Sequence, residues 1–148
     1  MSSEDREGDV EQLARRGALA MWAQDAASAG LGMELVDVGP GRARLRMAVT
    51  SSMVNGHAIA HGGLVFTLAD SAFAVACNTH GTVTVASGAD ISFVAPARLG
   101  DVLEADALEQ ATYGRSGVTD VRVTRQDGEL VALFRGRSRS LGRPILDT

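Results

Sequence analysis

The sequence predicts an α+β fold in which a curved antiparallel sheet wraps around one long apolar helix. Three observations carry this. The stretch from Leu64 to Cys77 is apolar nearly all the way round at helical length, so the helix it forms needs burial on most sides. Two short alternating segments flank the turn Gly39-Pro40-Gly41 before it. Four β-rich segments follow it, with Asp127-Gly128 as the strongest hairpin-turn signal in the chain. Helix and strands thus come in separate runs, the pattern of an α+β domain. Any helix face the sheet leaves open would need a partner.

The elements follow in order. Residues 1–9 are polar and are expected to form a flexible terminus, and 10–148 a single domain. Leu13, Leu19, Trp22, Ala23 and Ala26 recur at roughly helical spacing, with Gly30 as a stop, which predicts a first helix. After the Gly-Pro-Gly turn, Ala43, Leu45, Met47 and Val49 alternate with Arg42, Arg44 and Arg46, a strand with one wet face. A glycine-punctuated loop from Met53 runs into the long helix, which ends near Gly81. Strands are expected at about 82–95, 101–112, 117–126 and 129–140.

Composition narrows the function classes. A hydrophobic content of 45% suits a globular protein, and a formal net charge of -4 gives no reason to expect nucleic-acid binding. Cys77 is the single cysteine, so no intrachain disulfide can form and a cytoplasmic setting is expected. The acidic start "MSSEDREGDVEQ" lacks the pattern of a signal peptide, and no run approaches the ~20 apolar residues of a membrane span.

The chemistry concentrates in "MVNGHAIAHGGLVFTLADSAFAVACN", residues 53 to 78. Asp70 is the one carboxylate of the helix, and burying it unpaired would cost several kcal/mol or force it to take up a proton. On a helical wheel Leu64, Leu68, Ala72, Val75 and Ala76 share a broad arc, while Thr67, Asp70, Ser71 and Ala74 form a narrow stripe opposite. Two readings stay open: a stripe of small residues lining a pocket around Asp70, or a structural carboxylate held by hydrogen bonds. Gly62 and Gly63 sit at the helix entry, where free N–H groups and the dipole can stabilise a carbonyl oxygen turning negative; they could also simply make a sharp turn. His57 and His61 have no carboxylate or thiol nearby to complete a metal site, and are expected to shape the loop by hydrogen bonding, with no metal and no cofactor.

This block resembles the hotdog-fold acyl-CoA thioesterases, particularly the phenylacetic acid degradation (PaaI-type) group. "GADISFVAPARLGDVLEA" and "YGRSGVTDVRVTRQDGELVALFRGRS" support the resemblance, which covers about residues 30 to 140. It implies hydrolysis of aryl-acetyl-CoA, such as phenylacetyl-CoA or hydroxyphenylacetyl-CoA, or of related small acyl-CoA thioesters, to free acid and CoA. The catalytic carboxylate falls on Asp70, the carbonyl-polarising N–H on Gly62 and a loop amide on Asn55. His57, His61, Gly63, Thr67, Ser71, Arg115 and Ser116 are the candidate substrate-binding residues. Some relatives carry a hydroxyl one turn after the carboxylate, where this chain has Ala74. Arg135, Arg137 and Arg139 could hold CoA phosphates, but a charged, solvated strand edge is the preferred reading.

Gly62 and Asp70 are eight residues apart, about 12 Å of helical rise, too far for one chain to place both at one carbonyl. A two-fold homodimer with shared sites is expected, and from the resemblance a dimer of dimers, a homotetramer. The alternatives are a non-catalytic acyl-CoA binding or sensor protein, and a hotdog acyl-thioester hydratase.

Overall fold

In the computed structural model, which describes residues 2–146, the Gly-Pro-Gly turn joins β1 (Glu34–Gly39) to β2 (Arg42–Ala48), with Gly41 at φ 69° as the turn requires. Residue 1 of the segment expected to be flexible and residues 147–148 of the expected domain lie outside the described residues. The turn is pinned to the rest of the molecule: Gly41 N–H donates to Thr79 Oγ1 at 2.8 Å, and that hydroxyl donates to Ala76 O at 2.8 Å. Ala43, Leu45 and Met47 point inward and are buried, while Arg44 and Arg46 face water, as the alternation predicts.

The long helix is α3 (Gly62–Cys77), and after it come β3 (Thr82–Phe93), β4 (Val102–Tyr113), β5 (Ser116–Arg125) and β6 (Leu130–Pro144), close to the four expected segments. The six strands form one antiparallel sheet in the order β1-β2-β4-β5-β6-β3. This is the hotdog architecture: α3 packs against the inner face of the sheet, touching β2, β4, β5, β3 and β6. Leu68, Ala72, Val75 and Ala76 of the predicted arc are buried with Phe73, whose ring lies on Gly136. A Cβ at residue 136 would stand 2.6 Å from two atoms of that ring, so glycine is what lets helix and sheet approach. At the other end of α3, the Asn78 amide donates to Ala74 O and Thr84 O and accepts from Thr84 N–H, closing the helix against β3.

The N-terminal region differs from expectation. α1 spans Ser3–Trp22, so the polar residues expected to be a flexible terminus are helical from Ser3. The cause is local: the Ser2 hydroxyl accepts from Asp5 N–H while the Asp5 carboxylate accepts from Ser2 N–H, a reciprocal capping box. The helix also breaks before Gly30. Asp25 caps a second short helix, α2 (Ala26–Gly30), by accepting from Ser28 N–H. The face turned inward is not the predicted stripe: Leu13 and Leu19 are exposed, whereas Ala14, Gly17 and Ala18 are buried. Close approach of the helix selects small residues there, and hydrophobic spacing alone points to the larger ones.

The arginines of β6 are also placed differently. β6 lies between β5 and β3, so Arg135, Arg137 and Arg139 line the outer face of an interior strand rather than a sheet edge. Arg135 makes two bonds to Asp120 at 2.6 and 2.8 Å, and Arg137 reaches Asp90 at 2.9 Å. Cross-strand register decides this, since Asp120 and Asp90 both face Arg135 in the ladder. No helix among the described residues is long and apolar enough to cross a membrane.

Candidate active site

The loop before α3 is built by Asn55. Its Oδ1 accepts from His57 N–H at 2.9 Å and Ile59 N–H at 3.2 Å, while its backbone N–H bonds Ile59 O. This leaves the Asn55 Nδ2 donor uncommitted among the described residues, and it holds Ala58 at φ 59°, a left-handed conformation that a non-glycine residue adopts at a cost. Asn55 thus shapes the loop with its oxygen and keeps its nitrogen for another partner. His57 sits at the exposed tip.

His61 has a definite task. It is the N-cap of α3, its Nδ1 accepting from Gly63 N–H at 3.1 Å. That contact puts the proton of a neutral ring on Nε2. Leu64 and Val65 N–H turn back to His61 O. Gly62 N–H is thereby left as a donor at the first turn with no partner among the described residues, at the positive end of the helix dipole. Gly62 lines a cavity of about 400 Å³ together with Asn55, Ile59, Val65, Phe93, Val94, Pro96 and Val131, among others. A polar amide and a free N–H at the mouth of an apolar cleft suit a carbonyl carried on an apolar group.

Asp70 does not line this cavity. It lies further along α3 on a half-exposed stripe with Thr67 and Ala74, below the open Gly63, and it makes no hydrogen bond or ion pair with any described residue. Loss of water around the carboxylate raises its pKa above the ordinary value, and the negative charge of Asp25 adds to this. The reading of Asp70 as a carboxylate held by structural hydrogen bonds therefore finds no partner to support it. The Thr67 hydroxyl donates to Gly63 O at 2.8 Å, which keeps it on the same stripe with its lone pairs free.

Ser71 belongs elsewhere. It is buried, and its hydroxyl meets that of Ser28 at 2.8 Å, itself bonded to Asp25 at 2.6 Å. Its place as a substrate-binding residue is corrected: it ties α2 to α3. One residue's step along a helix turns the side chain by about 100°, which separates it from Asp70.

Arg115 and Ser116 open onto a second, smaller cavity of about 120 Å³ beyond the C-terminal end of α3, with His80, Thr82, Thr84, Glu109 and Ser140 around it. Arg115 makes no ion pair with any described residue, unlike Arg135 and Arg137. The His80 ring and Glu109 are 2.8 Å apart, and this bond raises the His80 pKa. Cys77 lines the same cavity from inside; burial pushes its thiol up to about 12, so it is an inert neutral group at physiological pH. A wider depression of about 620 Å³ on the outer sheet face contains neither Gly62 nor Asp70, and its Asp90, Asp106 and Asp120 are already held by arginines.

Two features were missed by sequence reasoning. One is the capping role of His61, which "HGG" before an apolar run carries as a cap signal. The other is Phe93, which lies over Gly62. Its signal was the pair Phe93-Val94, since adjacent strand residues cannot both face the core.

Fold and site together define a hotdog thioester hydrolase, with an amide donor at a helix start and a carboxylate on the same helix. The chain belongs to the thioesterase superfamily, whose family model matches residues 57–132. It is 42% identical over 136 residues to the acyl-coenzyme A thioesterase PaaI of Escherichia coli K12, covering 92% of this chain and 97% of that one. The structure of E. coli PaaI, from the phenylacetic acid degradation operon, superposes with a TM-score of 0.89 at 40% identity over 91% of this chain and 98% of that one. The phenylacetic acid degradation protein PaaI of Thermus thermophilus, solved as a mutant, gives 0.76 at 36% identity, over 79% and 100% of the two chains. A Streptococcus pneumoniae thioesterase protein solved with coenzyme A gives 0.73 at 25%, over 76% and 88%.

Proposed function

We propose that the protein hydrolyses acyl-CoA thioesters, with aryl-acetyl-CoA such as phenylacetyl-CoA or hydroxyphenylacetyl-CoA as its substrate class. The observation that carries this is Gly62, whose N–H has no partner among the described residues, lining an apolar cavity with Asn55, whose Nδ2 is likewise uncommitted. The aryl-acetyl preference draws on the likeness to PaaI, and CoA as the thiol on PaaI and on the coenzyme A bound to the streptococcal protein.

In this reading the thioester oxygen sits at Gly62 N–H, which stabilises the negative charge that develops as the carbonyl becomes tetrahedral. Asn55 Nδ2 positions the carbonyl or the attacking water. Asp70 either takes the proton from that water as it attacks, or attacks the carbonyl carbon itself to give an anhydride that water then opens. In both routes the C–S bond breaks, CoA leaves as a thiol and the acid is released. The raised pKa makes the ionised Asp70 carboxylate a stronger base than an ordinary aspartate. Oxygen-18 from solvent, found in the Asp70 carboxylate after single turnover, marks the anhydride route.

Both groups act on one carbonyl only if they come from different chains, because about 12 Å of helix separates them. The functional unit is therefore a homodimer with two shared sites. Supporting this, β3 is an edge strand of 12 residues without lysine, arginine or proline, and such an edge pairs readily with a second copy. By resemblance, dimers then associate into a homotetramer. Arg115 and Ser116 hold CoA phosphates, at a cavity whose Cys77 lies seven residues, about 10 Å of rise, beyond Asp70. The lone reduced cysteine accords with a cytoplasmic enzyme.

The test is thiol release from a panel of acyl-CoAs, run beside an assay for alkene hydration. Asp70→Asn should keep the fold and lose about 10²- to 10⁴-fold in turnover. Near-normal hydrolysis of phenylacetyl-CoA by that variant would refute the role of Asp70. Binding without turnover would identify a sensor, and hydration without thiol release a hydratase.

A further inference from the structure

The cavity beside Gly62 has a wall that the chemistry above leaves unexplained. Phe93, the last residue of β3, is 56% exposed although its ladder partner Ala132 is buried. Its ring lies against the start of α3: a Cβ at residue 62 would stand 3.0 Å from Cζ and 3.4 Å from Cε1 and Cε2. Val94 is also 56% exposed and lines the same cavity. Both are there because the strand ends abruptly. Val94 N–H and Ala95 N–H converge on Val131 O at 2.8 and 3.3 Å, and Ala60 N–H then bonds Ala97 O at 2.7 Å, drawing this segment against the Asn55 loop. The backbone thus turns two bulky apolar groups toward the cavity mouth, with an aromatic ring touching the residue whose N–H is the carbonyl donor.

We propose that Phe93 determines specificity: its ring packs against the aromatic ring of the bound acyl group and favours aryl over straight-chain acyl thioesters of similar size. This rests on the thioesterase reading above and adds to it the residue that does the selecting. The physical basis is the ring quadrupole. Two aromatic rings in edge-to-face or offset contact gain an attraction beyond buried area, whereas an alkyl chain in the same place gains dispersion alone. An aryl-acetyl group has one methylene between carbonyl and ring, so with its oxygen at Gly62 N–H the ring lies within reach of a side chain that touches Gly62. Glycine at 62 also matters here, since a side chain there would push the Phe93 ring aside.

The experiment compares kcat/KM for phenylacetyl-CoA and hexanoyl-CoA in wild type, Phe93→Leu and Phe93→Tyr, with oligomeric state followed by light scattering. Phe93→Leu should lower the phenylacetyl-to-hexanoyl ratio by about 2- to 12-fold, and Phe93→Tyr, which keeps the ring, should hold it within about 2-fold. A ratio unmoved by Phe93→Leu overturns the inference while leaving the thioesterase reading intact. So does an equal loss on both substrates, or a change of oligomeric state with the ratio unmoved, which would make Phe93 a subunit contact. A wild-type protein that hydrolyses neither substrate overturns the thioesterase reading and this inference with it.

Discussion

Two variants, each nearly inactive alone, regain activity when their chains are mixed if every site takes Asp70 from one chain and Asn55 with Gly62 from the other. Suitable variants follow from the geometry. Asp70→Asn keeps the side chain's shape and removes its charge. Asn55→Asp keeps the Oδ1 acceptor that holds the His57 and Ile59 N–H groups, and replaces only the uncommitted Nδ2 donor. In either homodimer every site carries one substitution, and activity should fall by about 10²-fold or more. In a mixed dimer the substitutions segregate: one site carries both and the other carries none. Equimolar unfolding and refolding gives parents and mixed dimers in the ratio of about 1:2:1, so half the dimers have one of two sites intact and about a quarter of wild-type activity returns. Thiol release from phenylacetyl-CoA is the readout, and the figure of about a quarter holds whether or not dimers then pair at random into tetramers. A refolded mixture no more active than its parents would show that each chain completes its own site, and the separation along α3 would then be bridged some other way.

Three further outcomes concern stability. The folded-state pKa of Asp70 is raised by desolvation and by Asp25, so the ionised carboxylate costs stability at pH values above it, and that cost disappears as pH falls toward the ordinary value of 3.8. Asp70→Asn should therefore be more resistant to urea than wild type near pH 7, with an advantage that shrinks toward about pH 4; an advantage independent of pH would contradict the assigned cause. Gly136→Ala places a methyl 2.6 Å from the Phe73 ring, which is itself packed against Phe134 at 5.8 Å between centroids, and should cost about 1–3 kcal/mol in denaturant titration. Adding Phe73→Leu should recover part of that loss, and no recovery would mean that the strain lies elsewhere. Thr119 is fully buried and its hydroxyl has no partner among the described residues, so Thr119→Val should gain about 1 kcal/mol, read as a Tm rise of about 2–4 °C at fixed protein concentration. A lower Tm would mean that the hydroxyl does find a partner in solution.

Much of the fold was legible because its signals are local. Period-2 alternation from Arg42 to Val49, the Asp127-Gly128 turn and the apolar run of α3 each report on their own few residues, and each element lies where expected. The placement of Gly62 at the start of the long helix and of Asp70 further along it was legible for the same reason. What escaped was set by groups far apart in the chain. Nothing near Ser71 announces a bond to Ser28, 43 residues away, and nothing near Arg137 announces Asp90, 47 residues away. The buried face of α1 escaped for a different reason: hydrophobic spacing favours Leu13 and Leu19, but the gap available favours Ala14, Gly17 and Ala18. The start of α1 was written in the sequence, in the Ser2 to Asp5 capping box, and its polarity concealed it.

The polar groups around α3 divide in a way that bears on the site. Those on α3 and at its two ends that the proposed chemistry does not use are satisfied within the chain: Ser71 by Ser28, Thr67 by Gly63 O, Gly63 N–H by His61, Asn78 by Ala74 and Thr84, and Thr79 by Ala76 and Gly41. The Gly62 N–H and the Asp70 carboxylate, which it does use together with Asn55 Nδ2, have no partner among the described residues. A sequence selected for stability alone would have capped the first and replaced the second, since each change is a single substitution worth about 1 kcal/mol. His61 makes the contrast sharper. It reaches past Gly62 to bond Gly63, satisfying one donor of the first turn while leaving the adjacent one open. Substituting His61 by alanine should therefore loosen the first turn and shift Gly62 N–H out of position, lowering kcat more than it raises KM. Asparagine at 61, which can also accept from the Gly63 N–H, should restore much of the loss. An alanine variant with unchanged kcat would show that the free N–H is positioned by something other than its cap.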